Sequence, residues 1–390
     1  LVELLESEAA IKTAAMAAFA IGEIESLKGA DAILKTIKDP ATPNEVRARA
    51  VEAAGKIAAA NAKDPKSTEL GNAIIATLES EYAKAAKFDR ETVLLGLTAL
   101  LRVRPDGADV TAAHFLTSTD GRVRADAGNT MTRIKAKNAD PTLRKMLASD
   151  TDPIARANAA RALGAAEDKD ALDLLIKTAT TDSDSRVRVS AIRALIALRD
   201  SKAAIPLMQR GEILLRAYKS KRFRIPAEQN ELLEILIAVP RILTKIDQRW
   251  YDLFSEFVSF DQLRSTDVYV VDKGSVASSN QFLSDLSRAP KQDWKLSDWR
   301  QYSTLAQIYG NAARVDAITD QQKYVKKIAP GLLLTLGAIE PKPDPKLVKA
   351  GPDVLRAYAA YKTDELGEVL RLQFESNDVF LRATAAELLA

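Results

Sequence analysis

Apolar residues in the first half of the chain return at helical spacing, inside a unit that repeats. The pattern is a polar turn, an apolar residue, an arginine, then a small residue three and six positions on. It reads Val46-Arg47 with Ala50, Ala53 and Gly55; Val123-Arg124 with Ala127; Arg156 with Ala159, Ala162, Leu163 and Gly164; and Val187-Arg188 with Ala191, Ala194 and Leu195. It returns at the end as Leu381-Arg382 with Ala385, Leu388 and Leu389. Two copies keep the register without arginine: Ala14, Ala17, Ala20, Ile21, Gly22, and Val93, Gly96, Ala99, Leu100. Anchored on the arginine position, the copies stand at 14, 47, 93, 124, 156 and 188, in steps of 33, 46, 31, 32 and 32. A period of about 32 suits two helices and their turns, stacked as a solenoid. The long step predicts an insertion near 58–75.

Each unit predicts a helix A, a turn and a helix B. Ala171–Thr178 is an A helix, 181–185 a turn of Asp, Ser and Thr that suits helix capping, and Arg186–Leu198 a B helix with Val187, Ala191, Ala194, Leu195 and Leu198 on its buried face. The unit before it repeats this with Leu143–Ala148, 150–153 and Ile154–Ala165, and Pro153 suits a first helical turn.

Composition sharpens the picture. Of 65 alanines, 44 lie in residues 1–200, whereas only four of 22 aromatics do (Phe19, Tyr82, Phe88, Phe115). Alanine favours helix and lets helices approach closely, so the first half should pack more tightly than the second.

These units resemble HEAT repeats of the short bacterial type, on the turn acids Asp150, Asp182 and Asp184, the apolar-Arg pairs and the small residues that follow. The resemblance implies an all-α solenoid, a right-handed superhelix of helix pairs. It implies that the turn acids and Arg47, Arg124, Arg156 and Arg188 form a structural ladder between neighbouring turns. It also implies that the B helices line the concave face. The expected organisation is a regular array over 1–204, a divergent aromatic-rich helical region over 205–345, and a further repeat over 346–390.

The middle predicts irregular helical pairs: Glu228–Ala238 ended or kinked at Val239-Pro240, Arg249–Phe260, Trp294–Tyr309, a β-prone 268–271, and a proline-rich linker at 340–345. The chain begins inside an apolar helix and stops inside a repeat motif. The expectation is therefore of a longer natural protein.

Charge is nearly balanced, 56 Lys and Arg against 53 Asp and Glu, which describes an ordinary charged surface rather than a polycation. No apolar run nears the ~20 residues of a membrane span. Cysteine is absent and histidine occurs once, which excludes thiol catalysis, Cys-based metal sites and a HExxH helix. HEAT-fold hydroxylases that need several His-Glu pairs are excluded likewise. No GxSxG, P-loop or GxGxxG occurs, and His114 reads as a packed or surface residue. The paired acids Asp150/Asp152 and Asp182/Asp184 lack the Gly and Glu of a calcium loop and read as caps. No metal or cofactor is expected.

Three features remain as candidate sites. Positions two, five and nine past each anchor form an outward stripe: Arg49, Glu52, Lys56, Asp126, Asn129, Arg133, Asn158, Arg161 and Arg193, with Ser190. Their mixed charge fits a protein or peptide partner. Residues 210–224 carry six basic side chains against Glu212; Arg216, Lys219, Lys221, Arg222 and Arg224, interleaved with Tyr218 and Phe223, can follow a phosphate backbone or be a solvated helix end. Trp250, Tyr251, Trp294, Trp299, Tyr302 and Tyr309 with Asp298 are similar in type to residues used by alkylpurine DNA glycosylases of HEAT-like build, but match no motif of that family and read first as core packing. The leading function is a non-catalytic scaffold or adaptor for a protein or peptide, with no enzyme activity of its own. The alternatives are a targeting array of a longer enzyme, since Ala17–Ile24 is similar to HEAT arrays attached to cyclophilin-type prolyl isomerases, and a nucleic-acid-binding protein. The compartment is left open.

Overall fold

The computed structural model describes residues 1–7, 10–137, 140–220, 226–243, 249–250, 253, 307, 310 and 351–390. The chain divides into two compact units, Leu1–Leu198 and Arg199–Ala390. All regular structure among the described residues is helical.

The first unit is a run of helix pairs: α1 (Val2–Glu6) and α2 (Ile11–Ile24), α3 (Ala30–Lys38) and α4 (Asn44–Ala60), α5 (Pro65–Ala83) and α6 (Arg90–Val103), α7 (Ala108–His114) and α8 (Gly121–Ile134), α9 (Asp140–Ser149) and α10 (Pro153–Ala166), α11 (Leu172–Thr181) and α12 (Ser185–Leu198). The second member of each pair packs on the second members before and after it, from α2 through α12. The first members pack likewise, α1 on α3, α3 on α5, α5 on α7 and α9 on α11. Two layers result, A and B, as the sequence period predicts.

The long step between anchors 47 and 93 is taken up in helix. α4 has 17 residues and α5 has 19, and only residues 61–64 lie between them. Asp64 accepts from Lys66 N at 2.8 Å, and Pro65 starts α5 where an amide is not needed.

Alanine and glycine set the spacing of the B layer. A Cβ on Gly22 would come within 2.7 Å of Ala53 Cα, one on Gly164 within 2.7 Å of Ala194 Cα, and one on Gly55 within 2.8 Å of Ala99 Cα. These three pairs share a register, the eighth residue past one anchor against the sixth past the next. At each, backbone meets backbone with no room for a methyl group. Where α2, α6, α8 and α10 end, a non-glycine residue takes the left-handed conformation: Glu25, Arg104, Lys135 and Glu167, with φ of 53–56°. That geometry costs on the order of 1 kcal/mol per residue and reverses the chain tightly into the next A helix.

The turns from A to B carry the ladder. Arg124 donates to both carboxylate oxygens of Asp150, at 2.6 and 2.7 Å, and to the Ser118 carbonyl at 2.8 Å. One repeat on, Arg156 donates to both oxygens of Asp182, at 2.9 and 3.0 Å, and to the Asp150 carbonyl at 2.8 Å. Arg188 reaches the Asp182 carbonyl at 2.6 Å, and Arg47 the Asp39 carbonyl at 3.0 Å. Two residues after each ladder acid a second aspartate caps the B helix: Asp152 accepts from Ile154 N at 2.7 Å, and Asp184 from Arg186 N at 2.8 Å. The expected ladder between neighbouring turns is seen from Arg124 to Asp150 and from Arg156 to Asp182, whereas the bonds of Arg47 go to carbonyls of its own turn; the paired acids are ladder partners and caps.

In the second unit, α13 (Ala204–Ser220) packs on α14 (Pro226–Ile242). α14 does not end at Val239-Pro240, because Pro240 lies inside it, two residues before its last residue, Ile242. Proline has no N–H for the carbonyl four residues back, Leu236. The indole Nε1 of Trp250 donates to that carbonyl at 3.3 Å and takes the missing amide's place. Further on, α15 (Gly351–Ala360) packs on α17 (Val379–Leu389), which pairs with α16 (Leu366–Phe374). The cap and the arginine recur there, with Ser376 at the place of the ladder acid: Asp378 caps α17 through Phe380 N and Leu381 N, at 2.6 and 3.0 Å, and Arg382 donates to the Ser376 carbonyl at 2.6 Å. The expectations for 254–306, 308–309 and 311–350, among them Trp294, Trp299, Tyr302, Tyr309, the β-prone segment and the proline-rich linker, fall outside the described residues, as does Tyr251.

Candidate functional site

The B helices α2 to α12 present one face in a common register, and the predicted stripe lies along it. Its first part is internally neutralised. Arg49 pairs with Glu52 at 2.8 Å and with Glu91 of α6 at 3.1 Å. Lys56 pairs with Glu52 at 2.8 Å and with Glu23 of α2. The Phe19 ring lies against both cations, 4.5 Å from Lys56 Nζ and 5.9 Å from Arg49 Cζ, a cation–π arrangement. Burial raises the Glu52 carboxyl, but bonds from Lys56 and Arg49 outweigh it and bring it below its ordinary value. Lys56 is held above its ordinary value, since Glu23 and Glu52 outweigh the effect of burial.

Phe19, Glu23 and Glu91 were absent from the predicted stripe. The first two were within reach of the register: they stand five and nine past the arginine-less anchor at 14, the same places that Glu52 and Lys56 hold past 47. Extending the register to that copy finds them, along with exposed Met16. Glu91 precedes its anchor, and only the packing of α4 on α6 brings it in.

In the middle of the stripe, Asp126 accepts from Arg122 of its own helix at 3.0 Å. Asn129 is half-buried and Arg133 exposed. Asn158 is a correction to the outward reading. It is 6% exposed and lies in the seam between α8 and α10. Its Nδ2 donates to the Ala125 carbonyl at 2.7 Å, and its Oδ1 accepts from Arg161 Nη1 at 3.0 Å. Ser190, at the equivalent place on α12, is buried too. On α10 and α12 the position two past the anchor therefore faces inward, whereas Met16 on α2 is exposed there. Close packing is the reason: a Cβ on Gly128 would sit 3.2 Å from Asn158 Cβ.

Arg161 and Arg193, five past their anchors, are exposed on adjacent helices α10 and α12. Partial desolvation and then the like charge of Arg193 pull Arg161 below its ordinary value.

Of the basic segment, Arg216 is exposed on α13. The Lys219 side chain and residues Lys221, Arg222 and Arg224 lie outside the described residues. Nearby, Arg210 pairs with the fully buried Glu231 at 2.8 Å, and Glu212 with Arg249 at 2.5 and 3.0 Å. His114 is packed as expected: its Nδ1 lies 3.1 Å from Glu79 Oε2, and its ring stacks on Tyr82 at 4.4 Å between centroids. Among the described residues no group of three or more His, Asp or Glu side chains is placed to hold a metal ion, and no helix is long and apolar enough to cross a membrane.

Residues 108–196 and 141–211, from α7 into α13, match the family model for HEAT repeats. No curated protein matches the chain. Among solved structures, an engineered protein is 21% identical, covering 100% of this chain and 97% of its own, with a TM-score of 0.41. A second engineered protein is 21% identical over 62% of this chain and 94% of its own, with a TM-score of 0.31. The crystal structure of Kap121p is 13% identical, covering 100% of this chain and 44% of its own, with a TM-score of 0.45.

Proposed function

We propose that this HEAT-repeat protein is a non-catalytic scaffold or adaptor that binds a protein or peptide partner along its B-helix face. The observation that carries the reading is the common register of that face. Successive helices offer side chains of mixed charge at regular intervals, while the turns are occupied by a ladder whose hydrogen bonds are internal. A row of modest polar contacts suits an extended polypeptide, because many weak contacts sum over a long groove. The acids Glu23, Glu52, Glu91 and Asp126 on the same face disfavour a continuous phosphate backbone.

Site-directed photo-cross-linking tests this. A photoreactive residue at Asn129, on the B face, is expected to capture one partner saturably. The same residue at exposed Lys145, on the A helix α9, is expected not to. Equal capture from both positions, or capture from Lys145 alone, rejects the assignment.

A further inference from the structure

The joints between successive B helices are not alike. From α2 to α4, from α4 to α6 and from α10 to α12, a glycine eight past one anchor meets an alanine six past the next, backbone on backbone. Between α8 and α10 the helices close at Gly128, where an added Cβ would stand 3.2 Å from Asn158 Cβ. Between α6 and α8 the same register holds Leu101 and Thr130 instead. A leucine cannot enter a seam in which backbone meets backbone. The glycine inside α6, Gly96, is turned to α5, where an added Cβ would come within 2.7 Å of Leu78 Cδ2. The α6–α8 joint is accordingly the least extensive of the B layer. It is crossed by a long bond, Thr130 Oγ1 to the Leu97 carbonyl at 3.3 Å, from a hydroxyl that also serves the Asp126 carbonyl of its own helix.

The turns weaken at the same place. Arg124 with Asp150 and Arg156 with Asp182 are two-bond forks whose side chains are at most 16% exposed. Across the α6–α8 joint the pair is Arg90 with Asp120, one bond of 2.7 Å between side chains 58% and 26% exposed. An exposed pair of that kind adds little stability. Between α4 and α6 Arg47 serves its own turn, but the Gly55–Ala99 seam and the Arg49–Glu91 pair span that joint. The linker 104–107 between α6 and α7 holds two left-handed residues, Arg104 at φ 53° and Gly107 at φ 85°. Gly107, without a Cβ, can change φ there without a clash. On the A side a polar clasp holds the two repeats. Glu79 of α5 accepts from Thr111 Oγ1 at 2.6 Å and lies 3.1 Å from His114 Nδ1, both on α7, and the Tyr82 ring of α5 stacks on His114 at 4.4 Å.

From these observations we infer that the first unit bends at one joint, between the repeats α5/α6 and α7/α8, with α1–α6 and α7–α12 moving as two stiff bodies. The clasp of Glu79, Thr111, His114 and Tyr82 is the pivot on the A side, and the seam of α6 on α8 is the side that opens. Flexure is concentrated where packing, ladder and linker are all weakest, rather than shared evenly among the repeats. Bending there changes the distance between Lys56 on one body and Arg133 on the other, so the B face adjusts its span to what it holds. That consequence rests on reading the B face as the partner surface; the hinge itself does not.

The chain has no cysteine, so introduced cysteines carry spin labels without background. Pulsed dipolar spectroscopy of the full chain, without partner, compares three pairs of exposed sites, each two B helices apart. Ile24→Cys with Arg102→Cys lies inside the first body, and Arg133→Cys with Ala197→Cys inside the second. Ala59→Cys with Arg133→Cys spans the joint. The distance distribution across the joint is expected to be roughly twofold wider or more than either internal one. Glu79→Ala removes the clasp and should widen it further, with both internal distributions unchanged, which also shows that the two bodies remain folded. Equal widths in all three pairs, a wider distribution inside either body, or a Glu79→Ala effect that is absent or spread over all three pairs would each overturn the inference. These distances need no partner and cross-linking from Asn129 reads partner capture, so either can fail without the other.

Discussion

Arg156 and Asp182, 26 residues apart, are joined by two parallel hydrogen bonds of 2.9 and 3.0 Å, with side chains only 14% and 11% exposed. The pair locks two consecutive turns together, and the same arginine holds the Asp150 carbonyl of its own turn. Arg156→Ala leaves Asp182 without its fork, and should cost about 2–3 kcal/mol in urea denaturation. Arg156→Lys keeps the charge but loses the planar fork, so it should recover less than half of that loss. Full rescue by lysine would show that charge alone matters there.

Gly164→Ala should destabilise although alanine is the better helix former. The added methyl would meet Ala194 Cα at 2.7 Å, backbone that cannot give way cheaply. A cost of about 1–3 kcal/mol is expected, as for overpacked cores. Gly367 in α16 has nothing within 4 Å of an added Cβ, so Gly367→Ala should be neutral or stabilising by about 0.5–1 kcal/mol. Thermal denaturation of the two variants makes the comparison.

How much of this was legible in sequence depends on whether the register or the packing decides. The ladder was legible because Arg and Asp recur at fixed offsets, and the tight B-layer contacts followed from Gly22, Gly55 and Gly164 ending the same motif. Asn158 was misread because periodicity places its side chain on an outward angle, while the close approach of α8 covers it. Glu91 reaches Arg49 only through packing of α6 on α4, and no local pattern announces such a contact. Pro240 looked like a helix end because the residue that compensates for it, Trp250, stands ten positions away.

That compensation is itself testable. Trp250 is 1% exposed and its indole N–H serves the Leu236 carbonyl. Trp250→Phe should cost about 1–3 kcal/mol, part of it for the orphaned carbonyl. Pro240→Ala restores an N–H to the helix, so Trp250→Phe should cost roughly 1 kcal/mol less on that background. Strict additivity in the double-mutant cycle would contradict the substitution of indole for amide.

The capping and ladder carboxylates predict the acid limb of stability. Bonding to the Arg186 side chain, helped by the amides of Arg186 and Val187, lowers Asp184 from 3.8 to about 2. The Arg90 guanidinium lowers Asp120. Burial raises Asp150, but Arg124 and the Asp152 amide bring it below its ordinary value. Each group has a depressed value in the folded state, so its stabilisation is present above the unfolded value and lost as pH falls through the folded one. Stability should hold from neutral pH to about 5 and fall between about 4 and 2. Asp120→Asn with Asp184→Asn keeps a capping oxygen but removes the charge, and should flatten that fall. An unchanged slope would mean that other carboxylates govern it.

The central claim is that partners bind the B-helix face, and affinity measured on paired charge reversals tests it most directly. With the partner captured by cross-linking in hand, calorimetry would compare Arg161→Glu with Arg193→Glu on that face against Lys145→Glu with Lys177→Glu, exposed on A helices α9 and α11. The B-face pair should weaken binding by about tenfold or more, with the A-face pair close to wild type. Loss of affinity in the A-face pair, with the B-face pair unchanged, would contradict the account.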